Sequence, residues 1–184
     1  MIDPSKKELR VKYIGLRDAT DPKQRAIMDQ QIVSKIRKME AYQKATIVGI
    51  FYPIGSETDL SELFRDPGKQ FCFPKILDLK AALMEFRFGM EKTTEGPFRT
   101  KEPTGGLVDF EAIDLILVPG VAFSKDGVRL GYGKGFFDRY LKQYHHHLVG
   151  VSYSFQLADH LPQDEFDVLF DSVITDGEVL CIRH

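Results

Sequence analysis

The sequence predicts one α/β domain spanning 1–184, a layered fold with a largely parallel sheet flanked by helices. Three observations predict it. At 184 residues with 43% hydrophobic content, the chain can bury most of its apolar surface in one core and is short for two large domains. After two helical segments the texture turns to short β-branched or aromatic runs, several of them apolar at nearly every position. Such runs require both sheet faces to be covered, and "FFDRYLKQYHH" between two of them supplies a crossover helix.

Each element has its own signal. Ser5 and Glu8 have capping-box spacing, so a helix starts near Lys6 with Leu9, Tyr13 and Leu16 as its apolar stripe. Thr20, Asp21 and Pro22 start a second helix, in which Ile27, Ile32 and Ile36 keep helical spacing to about Tyr42. The strand runs are "ATIVGIFYP", "QFCFPKI", "ALMEFRF", "IDLILVPGVAF", "HLVGVSYS" and "DSVITD". The more alternating middle runs suggest a local antiparallel element, and the pairs Phe71/Phe73 and Phe86/Phe88 read as core aromatics. Residues 89–106, rich in glycine, proline and charge without periodicity, read as a long surface loop. The run His145 to His147 reads as favourable charge at a helix C-terminus rather than a metal site.

Composition narrows the function. The 25 basic and 27 acidic residues leave a net charge of −2, which excludes an overall duplex-binding footprint. Cys72 and Cys181 lie in apolar runs without zinc spacing and read as buried free thiols in a reducing compartment. No signal-peptide block and no run approaching the ~20 apolar residues of a membrane span is present. The expectation is a cytoplasmic protein, monomeric for want of a coiled coil or a long apolar stripe, with small-molecule partners and neither nucleic acid nor membrane.

The chemistry concentrates in "VRLGYGKGFFDRYL" (128–141). "LILVPG" is a buried strand ending at Pro119, and an α/β sheet places ligands beyond the carboxyl ends of its strands. Bare glycine amides can converge into an anion nest ahead of a helix start, so phosphate is the natural guest. Neither standard phosphate motif fits. Val128 stands where a P-loop needs its first glycine, and a dozen residues separate Pro119 from Gly131 where a dinucleotide fingerprint needs an immediate turn. Arg129 and Lys134 add positive charge, while Asp138 would repel a phosphate unless a divalent cation bridged them. Magnesium nucleotide is the economical inference, and a plain glycine turn with an exposed Lys–Asp pair is the alternative.

This stretch resembles the signature of 5-formyltetrahydrofolate cyclo-ligases, and so do "KKELR", "YPIGSETD", "LVPGVAFSKDGVRLGYGKGFFDRYL" and "VSYSFQLADHLPQDEFDVLFDSVIT", in the expected order. The resemblance implies a Rossmann-like fold of the NagB/RpiA/CoA-transferase kind. It also implies an enzyme that uses magnesium ATP to close 5-formyltetrahydrofolate into 5,10-methenyltetrahydrofolate, with phosphorylation of the formyl oxygen and release of ADP and phosphate.

By the same resemblance, Lys6 and Arg10 would reach the ATP phosphates, with Lys7 and Tyr132 in the same nucleotide-binding set. Arg129, Gly131, Gly133, Lys134 and Gly135 match the phosphate loop, with Lys134 and Arg129 as catalytic cations. Asp138 and Asp167 match the magnesium positions; Phe166 precedes Asp167 where the family often has histidine, and Asp164, Glu165 and Asp171 compete for that role. Glu57 matches the acid that holds the pterin, Ile50 and Phe51 would line its pocket, and Tyr153 would cover a ring face. Two other classes stay open: a folate- or nucleotide-binding regulatory module, and a phosphosugar or coenzyme A enzyme on a similar scaffold.

Overall fold

The computed structural model describes residues 4–89, 93–97, 100–165 and 167–182. Helix α1 is Lys6–Ala19, opened by the expected capping box: the Ser5 hydroxyl accepts from the Glu8 N–H while the Glu8 carboxylate accepts from the Ser5 N–H. Helix α2 is Pro22–Lys38, with Asp21 as its N-cap and proline in the first turn. It stops at an extended Met39, and a separate short helix α3, Glu40–Lys44, carries Tyr42 into the core, so the second helix is shorter than its periodicity suggested.

The main sheet contains β1 (Ile47–Gly49), β2 (Gln70–Asp78), β3 (Leu83–Phe88), β6 (Leu115–Pro119), β9 (His147–Val151), β11 (Ser172–Ile174) and β12 (Val179–Cys181). Its order is β12-β11-β9-β6-β1-β2-β3. Four of its six pairings are parallel; β2 with β3 and β11 with β12 are antiparallel. The alternating middle runs are therefore the antiparallel edge, as their pattern suggested.

Side-chain alternation explains the continuous apolar runs. Leu115, Leu117, Val149, Val151 and Ile174 join one core layer with Ile32, Val33 and Ile36 of α2. Ile116, Val118, Leu148 and Val173 point the other way, into a layer shared with Leu141 and Tyr144 from helix α4 (Phe136–Leu141) and the segment after it. Phe71, Phe73 and Phe86 are buried, in keeping with a core role. Ile36 has no exposed surface. Ile36→Ala is therefore expected to lower unfolding free energy by about 2–5 kcal/mol, read from the denaturant midpoint; a loss below about 1 kcal/mol would contradict this packing.

Several expectations need correction. Leu16 and Ile27 face solvent, and Arg17, not Leu16, continues the inner stripe of α1. Cys181 is exposed, because β12 is an edge strand; Cys72 is buried as expected. His145 and His146 lie after α4 has ended, and His147 opens β9. Within 89–106 the described residues form a hairpin, β4 (Thr93–Glu95) with β5 (Lys101–Pro103), instead of an irregular loop. A small third sheet pairs β7 (Ala122–Ser124) with β8 (Arg129–Leu130) and with β10 (Leu157–Ala158). Among the described residues no helix is long and apolar enough to cross a membrane.

Candidate active site

Strand β1 has β2 on one side and β6 on the other, so the chain winds outward in both directions from the β1–β6 seam. Beyond the carboxyl ends of these two strands lies a crevice, the usual ligand position in such sheets. A cavity of about 410 Å³ opens there, lined among others by Phe51 and Tyr52 after β1, Pro119 at the end of β6, and Gly131 to Asp138. Most of the lining is apolar. Tyr52 stacks on Phe73 at 4.2 Å and forms part of one wall.

The residues between Pro119 and Gly131 explain why no immediate turn was visible in the sequence. They form the β7–β8 hairpin, which folds back so that the Arg129 Nε donates to the Pro119 carbonyl at 2.8 Å. Arg129 is buried, 3.2 Å from an Asp138 carboxylate oxygen and 5.1 Å from the Phe137 ring centroid. Burial pulls its guanidinium below the ordinary range, against the pull of Asp138, Glu57 and Asp167.

Left-handed backbone favours glycine at Gly133 and Gly135, and side chains at the turn would push on the neighbouring guanidinium groups. A Cβ on Gly131 would lie 2.9 Å from Arg129 Nη2, and one on Gly133, whose φ is +84°, would lie 3.1 Å from the Arg10 guanidinium carbon. Arg10 also donates from Nε to the Gly131 carbonyl at 2.7 Å, so α1 holds the turn from outside. Lys134 stands exposed at the rim and, among the described residues, makes no hydrogen bond or ion pair. Helix α4 spans only six residues, so Arg10, Arg129 and Lys134, rather than a large macrodipole, supply the positive charge beside the turn.

Glu57 lines the same cavity, buried, with one oxygen accepting from the Ile54 N–H at 2.8 Å and the other from the Tyr132 hydroxyl at 2.6 Å. Burial pushes this carboxyl above its ordinary range, while Tyr132, Ile54, Arg17 and Arg129 pull it down. Arg17 Nη2 donates to the same Tyr132 oxygen at 2.9 Å, and its Nε donates to the Ser56 hydroxyl at 3.0 Å. Ser56 in turn donates to Asp18.

The cavity thus brings together Phe51, Glu57, Arg129, Gly131, Tyr132, Gly133, Lys134, Gly135 and Asp138, with Arg10 behind the turn. Other candidates lie elsewhere. Ile50 is fully enclosed in the core, in the same layer that Phe51 joins while also lining the cavity. Tyr153 is fully buried and donates to Asp29 at 2.8 Å, so it has no ring face to offer; burial pushes the Asp29 carboxyl up to about 6 despite that bond. Lys7 sits about a third of a turn from the Lys6–Arg10 face and lines a separate depression with Ser5, Glu8 and Val11. Lys6 bonds Asp164 at 2.8 Å and Asp167 at 2.7 Å. Burial lowers its ammonium, but the two carboxylates outweigh burial and the net shift is upward.

Sequence reasoning missed Arg17, Tyr52 and Glu102. Glu102 lies in the hairpin first read as a loop, lines the cavity, and accepts the Ile76 N–H at 3.0 Å. Its signal was negligible, one of three glutamates in an aperiodic stretch. Arg17 had a readable signal, since it follows Tyr13 by four residues on the inner stripe.

For a metal, the donor set is sparse. Among the described residues no group of three or more His, Cys, Asp or Glu side chains could hold an ion. Asp138 lines the cavity, whereas Asp167 is taken by Lys6 and the Asp164 N–H, and Asp171 accepts the Leu148 N–H. One cavity carboxylate, with one oxygen accepting from Arg129 at 3.2 Å, suits magnesium that takes its remaining ligands from phosphate oxygens and water, and does not suit an all-protein cage. Phe166 lies outside the described residues.

Comparison with known proteins agrees with this architecture. The model of the 5-formyltetrahydrofolate cyclo-ligase family matches residues 2–176. The solved structure of the Aquifex aeolicus 5,10-methenyltetrahydrofolate synthetase superposes with a TM-score of 0.88 at 33% identity, covering 97% of this chain and 93% of that one. A 5-formyltetrahydrofolate cyclo-ligase from Mycoplasma pneumoniae is 31% identical over 93% of this chain and 98% of its own length, and one from Escherichia coli is 28% identical over 89% and 96%. With four ordered sequence blocks, a sheet seam carrying the glycine turn, and a family match over nearly its whole length, the chain belongs to the 5-formyltetrahydrofolate cyclo-ligase family.

Proposed function

We propose that the chain catalyses the ATP-dependent cyclisation of 5-formyltetrahydrofolate to 5,10-methenyltetrahydrofolate, acting as a monomer. One observation carries the reading: a single cavity holds both a buried carboxylate, Glu57, and a glycine turn backed by Arg10, Arg129 and Lys134, with the Tyr132 side chain joining them. A flat heterocycle with an amino-pyrimidine edge fits the first, between apolar walls, through paired N–H donors to one carboxylate. A triphosphate fits the second.

The formyl oxygen attacks the terminal phosphorus and the bond to ADP breaks. The second folate nitrogen then attacks the formyl carbon and gives up its proton to solvent, and the phosphorylated oxygen leaves as phosphate. No covalent protein intermediate is needed, so alignment and charge stabilisation are the protein's task. Arg129, held by Pro119 and Asp138, is a fixed cation, whereas Lys134, unpaired among the described residues, can follow the migrating phosphoryl group. Asp138 would hold magnesium arriving with the nucleotide, which neutralises phosphate charge. Lys6 would reach phosphate only by leaving its carboxylate partners.

The test is to incubate pure protein with ATP, magnesium and 5-formyltetrahydrofolate, following ADP release and the near-ultraviolet absorbance of the methenyl product. One methenyl product per ADP is expected. Folate-dependent ADP release without that absorbance would reject the cyclo-ligase assignment, and a regulatory module would give neither signal.

A further inference from the structure

Arg17 has no substrate role in this scheme, yet it is only 4% exposed and its Nη1 is buried without a partner among the described residues. An incompletely satisfied guanidinium is a costly thing to bury. Its other nitrogens are placed with purpose. Nε is anchored on Ser56, which Asp18 holds from behind, and Nη2 donates to the Tyr132 oxygen whose own proton goes to Glu57. The phenol is thus acceptor and donor at once, and a donor polarised by a cation makes a stronger bond to a carboxylate.

We propose that Arg17, acting through the Tyr132 hydroxyl, is a positioning residue that keeps Glu57 a carboxylate with both oxygens aimed. This rests on the reading of Glu57 as the folate-holding acid. Tyr132, matched by sequence to the nucleotide loop, then also serves folate binding, and the glycine turn is tied to Glu57 through one side chain. Among the described residues, the charged groups around Glu57 are Arg17 and Asp18 on α1 and Arg129 on β8, with Lys101, Glu102, Lys134 and Asp138 lining the same cavity. Burial already raises the Glu57 carboxyl, and the Tyr132 bond opposes it, so losing that bond must raise it further.

The experiment is an isotope-edited NMR titration of the Glu57 carboxyl carbon in the free protein, wild type against Tyr132→Phe. It is paired with 5-formyltetrahydrofolate dissociation constants measured from below the wild-type Glu57 midpoint to well above the variant's, as the titration itself locates them. In Tyr132→Phe the Glu57 midpoint should move to higher pH. Folate affinity relative to wild type should fall about tenfold at the acid end and recover to within about threefold at the alkaline end. Taking ratios to wild type removes the ligand's own titration. Arg17→Met should reproduce the profile and Arg17→Lys should partly restore it. If Arg17→Met does not fold, Tyr132→Phe, at a half-exposed ring, still decides the matter.

An unchanged Glu57 midpoint, or a loss of affinity equal at every pH, would overturn the relay and leave Arg17 a structural tie. Wild type that binds no reduced folate while its Glu57 midpoint still responds to Tyr132→Phe would instead reject the folate reading and keep the relay.

Discussion

Lys134→Ala is expected to lower single-turnover formation of the methenyl product by about 10²–10³-fold while the folate dissociation constant stays within about threefold. The lysine is exposed at the rim and bonded to nothing among the described residues, so removing it leaves no buried group unpaired and should not disturb the fold. What is lost is the mobile cation beside the glycine turn. Arg129 cannot replace it, because its guanidinium is held by the Pro119 carbonyl and Asp138. Rapid-quench kinetics and equilibrium folate binding on the same preparation decide the question. Equal losses in rate and affinity would mean that Lys134 only positions a substrate.

Glu57→Gln is expected to weaken 5-formyltetrahydrofolate binding by about 10–150-fold, the range for losing hydrogen bonds to a charged group, with ATP affinity nearly kept. The two substituents are close in size, so the effect is chemical. Both carboxylate oxygens accept from protein donors, Ile54 N–H and Tyr132 O–H, and an amide must turn its NH₂ toward one of them. The neutral amide also leaves Arg17 and Arg129 without the charge they face. Calorimetric titration with folate and, separately, with magnesium ADP reads both constants. An unchanged folate constant removes Glu57 from the site.

Much of the scaffold was readable in the chain because its signals are local. The Ser5–Glu8 box and the Asp21–Pro22 start act within one helical turn, and they mark the helix starts found. The apolar strands announce a covered sheet whatever covers it. Their order was not readable, since it depends on which strands neighbour β1, and that choice creates the seam where the cavity opens. The third sheet was also hidden. Its strands are two or three residues long, too short for any period, yet they return Gly131 to the end of β6.

The site divides in the same way. The sequence alone determined a glycine turn with Arg129, Lys134 and Asp138 in one short stretch, because residues that share a turn are neighbours by covalent geometry. Only the tertiary structure decided which distant groups face that turn. Arg10 and Arg17 enter because their helix lies along it, Glu57 because Tyr132 reaches across, and Glu102 because a hairpin folds over. It also withdrew Ile50 and Tyr153 into the core and set Lys6 against Asp167. Burial and charge pairing depend on distances through space, and no pattern along one chain encodes those until the layers have packed.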